Sequence, residues 1–184
     1  MKTLLAIWTD LKENGFETDK NSVHSYLPVY ESILAPYRET AKNILEIGLF
    51  NGASLLMWEQ YFTGKVYGVD CDVKPHGGMA DLTEMIEAGK HNILIFNAED
   101  PNEVEKYFRN IKFDVIVEDA GHEINQQHNL YRIWKDYLAD GGIYIIEDIQ
   151  DIDKTMKSFL YLDGVVIDLR EIKNRYDDVL IVIK

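Results

Sequence analysis

Residues 43–54, NILEIGLFNGAS, decide the fold. An apolar run over 43–48 passes through Gly48 and Gly52 into a helical pattern over about 53–61, with Leu55, Leu56 and Trp58 as expected core. A strand that turns tightly into a helix is the repeating unit of an α/β sheet, and the same alternation recurs downstream. KVYGVD (65–70), NILIF (92–96), FDVIVED (113–119) and IYIIED (143–148) read as four further strands. Helices are expected over about 79–88, after the loop KPHGG, from near Pro101, and over about 125–138, with Gly141–Gly142 ending the turn that follows. Pro101 suits a first helical turn, where its missing N–H costs nothing. Asp151 or Asp153 is placed to cap one more helix through about 162. Upstream, helices over about 3–14 and 26–36 flank the polar loop ETDKNSVH.

The central strands are apolar on both faces, as a sheet covered by helices on both sides requires. The last two, VVIDLRE and DVLIVIK, are joined by the polar turn KNRY and so form an antiparallel pair. The expected fold is therefore α/β: a mostly parallel seven-stranded sheet with a C-terminal antiparallel hairpin and helices on both faces. Sheets that bind dinucleotides are usually parallel throughout, so the hairpin argues against that class.

A length of 184 residues fits one domain, 1–184, and an apolar fraction of 46% is enough for a sizeable core. The net charge of −13, with no basic stripe, repels phosphate backbones and argues against nucleic acid as partner or substrate. A single cysteine, Cys71, makes no internal disulfide and fits a reducing, cytoplasmic setting. No apolar run approaches the roughly 18 residues a membrane span needs. The opening MKTLLAIWTDLKENG reads as an amphipathic helix rather than a leader, with Leu4, Leu5, Trp8 and Leu11 on one face. That face serves either the core or a second copy of the chain, so a homo-oligomer stays open.

In an open α/β sheet, ligands bind beyond the carboxyl ends of the strands, where the EIGLFNGAS turn lies. Its spacing is Gly-x-x-x-Gly, not the Gly-x-Gly-x-x-Gly that cradles a pyrophosphate. Phe50 and Asn51 stand where a dinucleotide loop wants small residues, and Glu46 suits a cationic, amino-bearing cofactor. Asp70, at the end of the second strand, can accept both hydroxyls of an adenosine ribose. Asn97 and Ala98 follow the third strand, where an adenine edge would lie. Taken singly, the turn is also read as a plain strand-to-helix link, and Asp70 as a cap or a solvated acid.

The segments TDK, HSYLPVY, ILEIGLFNGASLLMW, VYGVD, FDVIVEDAGH and GGIYIIED, in this order, carry a resemblance that spans nearly all of 18–184. The chain resembles class I, S-adenosylmethionine-dependent methyltransferases, and more narrowly the metal-dependent sugar O-methyltransferases of macrolide biosynthesis, the mycinamicin type. The resemblance implies that Glu46, Gly48 and Gly52 hold the methionine part of the cofactor, and Asn51 and Ser54, in the same turn, are further cofactor-binding candidates. Asp70 would hold the ribose, and Asn97 and Ala98 the adenine, with Asn97 in place of the family's usual acid. The 1–40 segment, around His24 and Tyr26, resembles a lid over the cofactor; Tyr26 is read equally as a core residue at a helix start.

Asp119 ends the fourth strand, and Glu147 with Asp148 ends the fifth. If these strands are neighbours, about 4.8 Å apart, three carboxylates converge. Such a cluster is unfavourable unless a cation or protonation relieves it. Oxygen ligands suit Mg²⁺; the alternative is three separate acids. The resemblance also gives Asp119 a second role beside the cofactor. His122, in the turn DAGH, can take a proton from a substrate hydroxyl. The family has an Asp and a His at this spacing as metal ligand and general base, usually with Gly-Ser between, where this chain has Ala120–Gly121. The alternative for His122 is a surface or capping histidine. Scattered His residues and one Cys give no zinc-binding spacing, and no nucleophile motif is present. The expected activity is Mg²⁺-dependent O-methylation of a small, sugar-like hydroxyl. The rivals are a non-catalytic S-adenosylmethionine-binding module, a nicotinamide-dependent oxidoreductase, and a different reaction on the same cofactor.

Overall fold

The computed structural model describes residues 1–158 and 164–184. Seven strands form one sheet: β1 (Asn43–Ile47), β2 (Lys65–Asp70), β3 (Asn92–Ile95), β4 (Phe113–Glu118), β5 (Leu138–Ile146), β6 (Val165–Asp168) and β7 (Val179–Ile183). Their order across the sheet is β3-β2-β1-β4-β5-β7-β6. The first five are mutually parallel, and β7 runs antiparallel to both β5 and β6. The order reverses between β1 and β4, which opens a crevice at their carboxyl ends.

The helices are α1 (Leu4–Glu13), α2 (Asp19–Ser22), α3 (Leu27–Leu34), α4 (Ala53–Tyr61), α5 (Pro75–Gly78), α6 (Thr83–Glu87), α7 (Pro101–Phe108), α8 (Ile124–Trp134), α9 (Ile152–Ser158) and α10 (Arg170–Lys173). They cover both faces of the sheet because strand side chains alternate. Val115 and Val117 of β4 pack in one core with Leu4, Tyr30 and Trp58 from α1, α3 and α4. Ile116 of the same strand packs in the other, with Val104, Phe108 and Trp134 from α7 and α8. Pro101 opens α7 behind an Asp100 side chain that accepts from Asn102 N, and Asp151 accepts from Lys154 N at the start of α9. No helix among the described residues is long and apolar enough to cross a membrane.

Some details depart from the sequence reading. In α1 the buried face is Leu4, Ile7 and Leu11, whereas Leu5 is 55% exposed; one residue turns about 100° round a helix, which takes Leu5 off that face. Of the helix expected over 79–88 only α6 forms, and the loop expected at KPHGG winds into α5. Gly141 and Gly142 lie inside β5, not in a turn before it, and the β4–β5 register shifts between Phe113 and Val115 to admit them. The turn between β6 and β7 winds into α10. The last part of the helix expected through about 162 falls on 159–163, outside the described residues.

Candidate active site

A cavity of about 700 Å³ opens at the carboxyl ends of the parallel strands, within the range of roughly 300–1,000 Å³ usual for small-ligand sites. Gly48, Asn51, Ser54, Asp70, Asn97 and Ala98 line one part of it, and Asp119, His122 and Asp148 another. Glu17, Thr18, Asp19 and Ser22, from in and around α2, form a further wall.

The first part is shaped chiefly by backbone. Gly48 has φ +90°, and a Cβ there would stand 2.1 Å from the Asp119 carbonyl oxygen. The glycine therefore lets β4 close against β1, a packing role in addition to any ligand contact. Asp70 is nearly buried. Its Oδ2 accepts from Leu49 N (2.8 Å) and its Oδ1 from Asp72 N (3.3 Å). These bonds aim the carboxylate and leave lone pairs for a ligand, since a carboxylate has about four acceptor sites. Asn51 accepts from Ala53 N and donates to the Glu17 carbonyl, tying this turn to the N-terminal wall. The Ala98 carbonyl is held by Trp134 Nε1 (3.0 Å).

The second part is built from charge. Ligand atoms of Asp119, His122 and Asp148 all lie within 4.8 Å of one another, and His122 Nε2 is 3.7 Å from Asp148 Oδ2. Two carboxylates at one cavity wall suit a hard divalent ion whose other positions hold water. Asp148 keeps a φ of +55°, uncommon for a residue with a Cβ. Tyr26 Oη donates to its Oδ1 at 2.7 Å. Burial first, then Asp119, pushes the Asp148 carboxyl up to about 8, against the lowering effect of Tyr26 and Lys20.

Four expected site residues do not line the cavity. Glu147 turns away from it, accepting from Lys20 Nζ (2.7 Å) and Tyr30 Oη (2.5 Å). The convergent acids at the cavity are thus two, joined by a histidine, and the expected carboxylate trio is corrected. Glu46 is buried beneath the floor, its Oε2 accepting from Ser54 Oγ (2.9 Å). Burial outweighs Lys20 and pushes its carboxyl up to about 7. Tyr26 is fully buried, stacked on His24, and meets the site only through Asp148. Tyr26 itself thus packs in the core, the alternative given for it above. Gly52, at φ +75°, makes room for Met85, whose Sδ would stand 2.4 Å from a Cβ there.

Sequence reading missed Lys20. Its side chain is fully buried, with Nζ 2.6 Å from Asp119 Oδ2, 2.7 Å from Glu147 Oε1 and 3.5 Å from Glu46 Oε1. Burial alone would lower this ammonium, but Asp119, Glu147 and Glu46 together hold it well above its usual value. The cation demanded by a cluster of acids is thus partly supplied by the chain itself. The signal was present: converging acids need a counterion, and a lysine lies in the polar loop just before the helix that packs beneath them.

Comparison with known proteins shows the family. A family model described as "Methyltransferase domain" matches residues 45–149, which hold every cavity-lining residue named above except those of the N-terminal wall. A curated relative from Streptomyces olivaceus, 8-demethyl-8-alpha-L-rhamnosyl tetracenomycin-C 2'-O-methyltransferase, is 30% identical over 72% of this chain and 35% of its own length. Demethylmacrocin O-methyltransferase from Streptomyces fradiae is 28% identical over 70% and 32%. The chain thus spans about a third of the length of these relatives. Among solved structures, the MycE methyltransferase of the mycinamycin pathway, in complex with Mg and SAH, superposes with a TM-score of 0.63 at 21% identity, over 83% of this chain and 42% of that one. Sheet order, site position and the family match agree: the chain belongs to the methyltransferase domain family.

Proposed function

We propose that this chain transfers a methyl group from S-adenosylmethionine to a hydroxyl of a small, sugar-like acceptor, with a divalent cation, Mg²⁺, at Asp119 and Asp148. The observation that carries this reading is that one cavity joins the Asp70 end, suited to a nucleoside, to the Asp119–His122–Asp148 corner, suited to a hydroxyl. The names of the curated relatives, sugar and macrolide O-methyltransferases, support the acceptor class.

The cofactor supplies a methyl group on a positively charged sulfur, and the cation lowers the pKa of a coordinated hydroxyl and orients it. Asp70 holds the ribose hydroxyls. The Gly48 turn, with Asn51 and Ser54, flanks the methionine part, and Asn97 and Ala98 flank the base. Asp119 and Asp148 would hold the cation at the opposite wall, and Asp119 would also contact the cofactor. His122 takes the acceptor's proton at its imidazole, whose Nε2 lies 3.7 Å from Asp148 Oδ2. Most of the rate enhancement then comes from orientation within the cavity.

The test is calorimetric titration with S-adenosylmethionine and S-adenosylhomocysteine, followed by labelled-methyl transfer to a panel of glycosylated small molecules, with Mg²⁺ and after exhaustive chelation. Binding, with transfer that chelation abolishes and Mg²⁺ restores, is expected. Absence of cofactor binding overturns the function, and transfer that survives chelation overturns the cation site.

A further inference from the structure

Lys20 is more than a brace between the N-terminal segment and the sheet. It projects from α2, a helix of only four residues, into a fully buried position among acids from three strand ends. Glu46 lies at the end of β1, Asp119 just after β4 and Glu147 just after β5. An ammonium is strongly disfavoured in such a place unless it is paired. Two of its partners, Glu46 and Glu147, do not line the cavity, and both are engaged elsewhere, with Ser54 and Tyr30. Asp119 alone among the three both meets the ammonium and belongs to the Asp119–His122–Asp148 group. Its side chain is 21% exposed, so the lysine grips it from the buried side while the cavity touches it from the other.

We propose that Lys20 is a positioning residue for the cation corner: its ammonium fixes the Asp119 carboxylate, so that a divalent ion meets a ligand pair already set in place. This rests on the reading that Asp119 and Asp148 hold such an ion. Partners that orient a metal ligand are commonly worth about 10–100-fold in metal affinity. Lysine suits the task because it is a compact point charge with three donors, able to meet several carboxylates at once.

Two variants separate positioning from net charge. Glu147→Gln removes one negative charge but keeps the Lys20–Asp119 contact. The double variant K20M/E147Q restores the net charge and removes the contact, with methionine retaining most of the stem. Mn²⁺ is titrated into cofactor-free full-length protein, and melting temperature and S-adenosylhomocysteine affinity are measured alongside. The expected result is Mn²⁺ binding within threefold of wild type for Glu147→Gln and weakened at least tenfold for the double variant, with S-adenosylhomocysteine binding within threefold in both. A double variant that binds Mn²⁺ as wild type does, or two variants weakened equally, overturns the proposal. Should the double variant fail to fold, ¹⁵N NMR of the lysine ammonium groups in wild-type protein decides. The protected Lys20 resonance is expected to move on adding Mg²⁺, and a resonance indifferent to Mg²⁺ overturns the role. Wild-type protein that binds no Mn²⁺ at millimolar concentration sinks the cation site and this role together. Wild-type binding that the double variant retains sinks this role alone.

Discussion

The two ends of the cavity are held together by different physics. Over β1, β2 and β3 the wall is made by backbone geometry and one aimed carboxylate, Asp70, whose partner Leu49 N is 21 residues away. Over β4 and β5 the wall is made by charges drawn from across the chain: Lys20 meets Asp119 at a separation of 99 residues and Glu147 at 127. The first end is local, and the carboxylate that shapes it, Asp70, is held by nearby backbone amides. The second is non-local and carries more acid than its one lysine neutralises. A ligand's orientation should depend on the first and proton or cation chemistry on the second, so substitutions at the two ends should fail in different ways.

The largest separation is expected at His122. Its replacement by Ala should lower methyl transfer by about 10²–10⁴-fold, the usual contribution of a positioned acid or base. Cofactor affinity by calorimetry should stay within threefold. Equal loss of both would mean that the ends are not independent. Loss of Mn²⁺ binding along with turnover would make the histidine a ligand of the ion rather than the base beside it. Asp70→Asn is the converse experiment. The carboxylate's hydrogen bonds to a ribose are charge-assisted, worth about 1.5–3 kcal/mol each, so S-adenosylhomocysteine affinity should fall by about tenfold or more. Mn²⁺ binding by the same protein should be unchanged; a matching fall in Mn²⁺ affinity would erase the distinction.

This contrast also explains what could be read from the chain alone. The strand-to-helix turn at 43–54, the paired faces of β4 and the antiparallel β7 are written in short-range periodicity, and all recur in the fold. At the Asp70 end, Gly48, Asn51, Ser54, Asp70, Asn97 and Ala98 meet in one cavity because each lies at or soon after the carboxyl end of a strand of the same sheet. At the charged end only half of the arrangement was legible. Sequence puts Glu147 and Asp148 side by side but cannot say which faces out. At φ +55°, Asp148 breaks the strand's alternation and stays at the cavity, while Glu147 goes to Lys20 and Tyr30. Nor can periodicity show that a lysine in a polar loop becomes fully buried, because its burial is decided by acids from three distant strand ends. Gly52 and Tyr26 were assigned to a ligand by motif position, whereas their surroundings, Met85 and Asp148, are tertiary.

The smallest effect is thermal and bears on the charged end alone. Burial raises Glu46 to about 7 and Asp148 to about 8 in the folded protein. In the unfolded chain both carboxyls titrate near 4. The folded state therefore binds more protons than the unfolded state between these limits, so the stability these groups contribute is present below about pH 4 and is lost as pH rises through 7 and 8. The melting temperature should fall between about pH 5 and pH 8, at about 2–4 °C for each kcal/mol lost in a domain of this size. Added Mg²⁺ should reduce the fall, because an ion at Asp119 and Asp148 favours the ionised carboxylates. Asp148→Asn should flatten the pH dependence. A melting temperature that is level or rising over this range would show that the acids beneath the cavity are compensated more fully than one lysine allows.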